Sequence, residues 1–278
     1  MEAPVNRILT QDCVEVMQSL PASLAQLVFA DPPYNIGYDY DGEYKDNLPY
    51  QQYAAWSETW MRAACRILSP SGAMWIAIGD EWVSELDLIA RRSLRLYKRS
   101  HVIWYVTFGV NCEKNFSRSH THLLYFTKHP KDFVFNAEQL RIPSARQLVY
   151  NDKRANPKGR LPDNTWIIRP QDLPEGFAAE GDTWHIPRIC GTFKQRKFGA
   201  ANQMPEQLLG RIIRACSNPG DLVVDPFAGT GTTAATAKKL GRNFLSMEQS
   251  ATVAARARLR VERVKEGDPL DGPIPQGG

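Results

Sequence analysis

Between residue 218 and about residue 264, apolar runs alternate with helix-period segments, and this constrains the fold more than any other feature of the chain. The turn Asn218-Pro219-Gly220 precedes the strand-like run DLVVD, the glycine-rich DPFAGTGTT, a helix near 232–240, the strand NFLSME and a closing helix over about 250–264. Strands that alternate with helices in this βαβα order are joined by crossovers, so the pattern predicts a parallel sheet covered by helices.

The amino-terminal half fits the same layout. LAQLVFA over 24–30 is stopped by Asp31-Pro32-Pro33-Tyr34 and reads as a buried strand ending in a loop, because proline cannot extend a ladder. Tyr53, Trp56, Trp60, Ala64 and Leu68 recur at helical spacing over 50–68; the turn Ser69-Pro70-Ser71-Gly72 then leads into a second strand, AMWIAIG. A helix over 82–94 and short strands over 102–106 and 123–127 complete this half. Leu208, Leu209, Ile212 and Ile213 form the apolar stripe of a helix over 205–216. From 108 to 201 the periodicity fades and prolines, basic residues and dispersed aromatics accumulate. We read that interval as an insertion between halves 1–107 and 202–264, with 265–278 as a glycine- and proline-rich disordered tail.

With 278 residues, 43% hydrophobic and 23% charged, the chain can bury a large core, which excludes collagen-like and largely disordered classes. It contains no apolar stretch near the ~20 residues a membrane span needs, and its amino terminus lacks a signal-peptide pattern. The five cysteines, Cys13, Cys65, Cys112, Cys190 and Cys216, are odd in number and scattered without zinc-ligand spacing, so a reducing cytoplasmic location without metal is expected. The net charge is +4, yet 109–201 carries 15 Lys/Arg against 9 Asp/Glu and the remainder is −2. The basic surplus therefore belongs to the insertion.

Two motifs carry chemistry. In DPFAGTGTT, Gly229 and Gly231 would let backbone approach a ligand, a helix amino terminus follows, and Glu248 at the end of the next strand can accept both hydroxyls of a ribose. No lysine precedes the threonines and the full dinucleotide fingerprint is absent, so a nucleoside without pyrophosphate is implied. In DPPY, Asp31 and the Pro32 carbonyl are hydrogen-bond acceptors on a rigid turn, and Tyr34 can stack on a planar ring. Together they suit an aromatic amine.

DPPY followed by DPFAGTGTT and a strand ending in Glu248 resembles the S-adenosylmethionine-dependent amino-group DNA methyltransferases. The order of motifs, with the catalytic one first and a variable region between, resembles their permuted β class over about residues 7–264. RILTQDCVEVMQSLP, WMRAACRILSPSGAMWIAI, NFSRSHTHLLYFTK and NQMPEQLLGRIIRACSNPGDLVVDPF support the likeness. The chain departs from it at His120-Thr121, where many relatives have His-Glu, and at GAANQMP, which lacks their preceding histidine. No role is carried over to Thr121 or Asn202.

The resemblance implies a Rossmann-like methyltransferase fold, a mostly parallel twisted sheet with helices on both faces and a target-recognition region at 108–201. It implies a catalytic set of Asp31, Pro32, Pro33 and Tyr34. It places Asp12, Cys13, Asp225, Phe227, Ala228, Gly229, Thr230, Gly231, Thr232, Thr233 and Glu248 around S-adenosylmethionine. An extruded base would offer its amino hydrogens to Asp31 and the Pro32 carbonyl, localising the nitrogen lone pair toward the methyl donor. Duplex DNA is the expected partner, with phosphate contacts drawn from Lys114, Arg118, Lys153, Arg154, Lys158, Arg160, Lys194, Arg196 and Lys197. A homodimer and a cognate restriction endonuclease remain open as further partners. Aspartate at the first motif position resembles adenine-modifying members, whereas cytosine-modifying relatives commonly carry serine. A noncatalytic DNA-binding relative and a methylase of RNA or protein glutamine are the competing classes; a complete DPPY beside a complete cofactor loop argues against the first, and Asn-Pro-Pro-Tyr is commoner in the second.

Overall fold

The computed structural model describes residues 4–38, 44–110, 118–142, 144–148, 150–164 and 203–271. Its strands are β1 (Arg7–Leu9), β2 (Ala25–Ala30), β3 (Leu68–Ile78), β4 (Tyr97–Val110), β5 (Arg118–Thr127), β6 (Leu222–Asp225) and β7 (Asn243–Met247). They form one sheet in the order β1-β7-β6-β2-β3-β5-β4. The first five of that order run parallel, and β5 is antiparallel to both β3 and β4. The helices are α1 (Cys13–Ser19), α2 (Tyr50–Ile67), α3 (Val83–Leu88), α4 (Ala145–Leu148), α5 (Glu206–Cys216), α6 (Thr232–Lys239) and α7 (Ala251–Glu262).

Every residue of β2 is buried, and alternate side chains enter different cores. Leu27 and Phe29 pack with Leu208, Ile212 and Ala235 of α5 and α6. Val28 and Ala30 pack with Met17 of α1 and Tyr53, Trp60 and Met61 of α2. A strand covered on both faces reads as a continuous apolar run, which is why LAQLVFA shows no alternation. Each fully buried large side chain here contributes about 1.5–3 kcal/mol.

This layering positions the site. From β2 the chain passes through α2 to β3 on one side, and from β6 it passes through α6 to β7 on the other, with the two helices on opposite faces. The topological switch therefore lies between β2 and β6, paired Leu27 to Val223 and Val28 to Val224. Ligands of open α/β sheets bind at the carboxyl ends of strands at such a switch.

The structure alters four details of the sequence reading. The turn expected at 69–72 lies within β3 as an irregularity, where the register slips between Ala25–Leu68 and Leu27–Ala73; Gln26 Nε2 donates to the Ser71 carbonyl there at 2.9 Å. The helix expected over 82–94 stops as α3 and continues as a π-turn, Ile89–Ser93. β5 lies inside 108–201 yet belongs to the central sheet. The tail reading fails for 265–271: Gly267 N donates to Lys239 O and Asp271 N to Glu206 Oε2, at 2.9 and 2.8 Å, so hydrogen bonds to α5 and α6 hold it. Residues 272–278 lie outside the described part.

Candidate active site at the β2–β6 switch

Asp31 follows β2 directly and Asp225 ends β6, so the two sequence motifs meet at the carboxyl edge of neighbouring strands. The DPPY loop is held from several directions. Tyr53 of α2 donates its hydroxyl to the Pro33 carbonyl at 2.5 Å, and the Tyr34 ring lies against Gly79, where a β-carbon would come within 3.3 Å of it. Asn35 adopts φ +56°, and the buried Asp46 carboxylate accepts from the backbone N–H groups of Asn35, Ile36 and Tyr38 at 2.7, 3.0 and 2.8 Å. One carboxylate thus satisfies three backbone donors and fixes the turn after the tetrapeptide.

The glycine-rich loop opens α6 with Gly231 as its left-handed cap. Gly229 N donates to Glu248 Oε2 at 2.9 Å and Ser250 N to Glu248 Oε1 at 3.0 Å, so Glu248 ties the loop to the end of β7. Gly229 has φ +47° and a β-carbon there would meet nothing nearer than the Phe227 carbonyl at 4.0 Å, leaving an open face for close approach. Gly231 differs: a β-carbon would strike Ala257 Cβ at 3.0 Å, so this glycine serves helix packing and a positive φ of +72°. Thr232 is buried and its Oγ1 accepts from Arg260 Nη1 at 2.8 Å, and Arg260 also reaches the Thr230 carbonyl at 3.2 Å. Ala228 is buried and donates its N–H to Met247 O at 2.8 Å.

Asp225 is buried, and burial pushes its carboxyl up to about 6 against the opposing hydrogen bonds from Thr233 and the Phe227 N–H; nearby Glu248 adds to the rise. Asp12 caps α1 through Val14 N and Glu15 N, at 2.8 and 3.1 Å, and accepts from Gln249 Nε2 at 2.8 Å. Cys13 beside it is buried, and burial followed by the Asp12 charge pushes its thiol up to about 12. Asp12, Cys13, Asp225 and Glu248 thus gather at one end of the sheet.

The sequence reading assigned Tyr53, Trp56 and Trp60 only to a helical core face. They also link the motifs: Tyr53 grips Pro33, while Trp56 and Trp60 lie 5.8 and 5.3 Å from the Phe227 ring. Glu206, Lys239 and Arg260, absent from the sequence reading, form a buried ionic cluster under the loop, with Glu206 2.8 Å from each cation. No local motif announces them, because three helices supply one residue each.

Of the candidate DNA contacts, Arg154 meets Asp152 at 3.0 Å, Lys158 meets Glu138 at 3.1 Å and Arg160 meets Asp163 at 2.8 Å, whereas Lys153 is exposed. The hydrogen bonds from Arg154 and Arg146 hold the Asp152 carboxyl well below the usual carboxylate range. Arg118 begins β5. Lys114, Lys194, Arg196 and Lys197 lie outside the described residues.

The family model for N6_N4_Mtase, described as DNA methylase, matches residues 25–258. The chain belongs to this DNA methylase family. The methylase is 32% identical over 266 residues to the type II methyltransferase M.HpaI of Haemophilus parainfluenzae, covering 95% of this chain and 77% of that one. It is 33% identical over 249 residues to the DNA adenine methyltransferase YhdJ of Escherichia coli K12, covering 87% and 77%. Its fold is shared with TTHA0409 of Thermus thermophilus, solved with S-adenosyl-L-methionine, at a TM-score of 0.61, 22% identity and coverage of 95% and 99%. The cytosine-N4-specific PvuII DNA methyltransferase shares it at a TM-score of 0.62, 17% identity and coverage of 91% and 85%. Among the described residues of the methylase, no helix is long and apolar enough to cross a membrane.

Proposed function

We propose that this DNA methylase, a permuted β-class member, transfers a methyl group from S-adenosylmethionine to the exocyclic amino nitrogen of adenine in duplex DNA. The observation that carries the reading is the meeting of Asp31 and Asp225 on neighbouring strand ends at the topological switch. The open face of Gly229 and the Glu248 carboxylate at the end of the next strand fit a nucleoside cofactor, with Glu248 on the ribose, Asp12 and Cys13 toward the adenine, and Asp225, Phe227 and the loop backbone at the amino-acid end. When bound, the cofactor supplies an electrophilic methyl group on a sulfonium.

Asp31 accepts one amino hydrogen of the target and the Pro32 carbonyl the second, which turns the nitrogen lone pair toward the methyl. Tyr34, backed by Gly79, stacks on the extruded base, and Asp31 receives the proton that the methylated nitrogen gives up. The Tyr53 bond to Pro33 and the Asp46 clamp hold these acceptors rigid, so little reorganisation is needed as charge develops. The basic insertion 108–201 holds the duplex by its phosphates. The name of YhdJ supports adenine as the base, and the type II designation of M.HpaI supports a cognate restriction endonuclease as a further partner.

Incubation with labelled cofactor and plasmid, then nucleoside analysis, tests this reading. N6-methyl-2′-deoxyadenosine is expected; N4-methyl-2′-deoxycytidine as sole product would move the base assignment, and no incorporation into any DNA would sink the activity.

A further inference from the structure

Beyond the methyl-transfer site, three side chains converge in a way the proposed reaction does not use. His120 and His122 stand two residues apart on β5 and so share a face, and Asp80 lies just past the end of β3, whose Ile78 pairs with His122. His120 Nε2 and His122 Nε2 are 3.3 Å apart, and Asp80 Oδ1 lies 3.2 Å from the first and 2.6 Å from the second.

We propose that Asp80, His120 and His122 form a binding site for a divalent transition-metal ion of the zinc class. Ligand atoms around a tetrahedral ion bound at ~2.0–2.1 Å stand about 3.3 Å from one another, the separation found on two of the three edges. The third edge opens by rotation of Asp80, whose side chain is 45% exposed. Two imidazoles and one carboxylate select zinc, cobalt, nickel or iron over calcium and magnesium, and leave a position for water. His122 Nδ1 lies 2.7 Å from His101 Nε2, so when an ion takes the place of the proton that Nε2 shares with Asp80, a proton on Nδ1 can be donated to His101 and hold the ring with Nε2 toward the site. An ion here ties the end of β3 to β5 immediately after Gly79, the residue behind the Tyr34 ring.

The test uses the full chain freed of metal by chelation and titrated with Co2+, then Zn2+. One Co2+ per chain is expected, with visible d–d bands, no thiolate charge-transfer band, and displacement by Zn2+. Zn2+ is expected to raise the melting temperature by several degrees. Asp80→Asn and His120→Ala, both at partly exposed positions, are expected to keep the parent's circular dichroism and metal-free melting temperature while losing the cobalt spectrum and the zinc shift. A silent parent, a thiolate band, or undiminished binding in either folded variant would overturn the site; the three groups would then be a hydrogen-bonded cluster alone.

Discussion

Arg260 donates from Nη2 to Glu206 Oε1 at 2.8 Å while its Nη1 donates to Thr232 Oγ1, so a single guanidinium joins the first residue of α5 to the first residue of α6. Glu206 Oε2 meets Lys239 Nζ at 2.8 Å, and all three side chains are at most 5% exposed. Two cations therefore share one buried carboxylate beneath the glycine-rich loop, with Asp271 as a more exposed second acid 3.4 Å from Lys239.

Removing that carboxylate takes the buried acid from Arg260 and leaves Lys239 with Asp271 alone. Glu206→Gln is expected to lower unfolding stability by about 3–5 kcal/mol, because breaking a buried pair leaves charge without compensation. Urea unfolding of the two proteins measures it; a loss under about 1 kcal/mol would mean that Asp271 alone balances the cluster.

Asp31→Ala is expected to reduce methyl transfer by about 10²–10⁴-fold while affinity for S-adenosylmethionine persists, since the carboxylate serves the target amine. Single-turnover kinetics beside calorimetric titration of the cofactor separate the two effects. Near-parental turnover would remove Asp31 from the chemistry.

Asp225 titrates at about 6 in the fold against an ordinary 3.8, because burial opposes its charge. The folded state then holds a proton more tightly than the unfolded chain, so this group makes stability fall as pH rises from about 4 to about 6, by up to roughly 3 kcal/mol. Relative to Asp225→Asn, the parent should gain stability on acidification through that window and keep a constant difference above it. Parallel urea midpoints at pH 7.5 and 4.5 decide this, and an unchanged difference would contradict the raised titration.

Binding to duplex DNA is expected to weaken steeply with salt, and replacing Lys153, Arg154, Lys158 and Arg160 together by glutamine should flatten the logarithmic slope by about 1 for each side chain that touches phosphate. Because Arg154, Lys158 and Arg160 already meet carboxylates, the flattening should stay below that of four free cations. An identical slope would put the phosphate surface elsewhere.

The motifs and the strands carrying them were legible because their signals are local: an apolar run ended by two prolines at Asp31, and glycines closing a strand at Asp225. What lies between motifs was not. Asp46 reaches the Asn35 turn through a loop, Arg260 reaches Thr232 from the next helix along the chain, and Asp80 meets His120 and His122 only because β3 and β5 pair. β1, only three residues long, is an edge strand whose pairing with β7 no window of sequence contains. Gly231 shows the subtler failure. The motif assigns it to close approach of a ligand, whereas the contact that demands a glycine in the fold is Ala257 on α7.

The pairing of Leu27 with Val223 also sets a timetable for biosynthesis. At ~5–20 residues per second, the ribosome completes β6 about 10–40 s after β2. Once β3 has been made, AQLVFA has that strand on one edge and nothing on the other until β6 follows, an apolar strand with bare backbone donors and acceptors in the middle of what will become the sheet. The arrangement that brings the two motifs together in the finished protein thus leaves the nascent chain open to strand addition by its neighbours. Fragments that stop short of residue 222 are therefore expected to aggregate through β2.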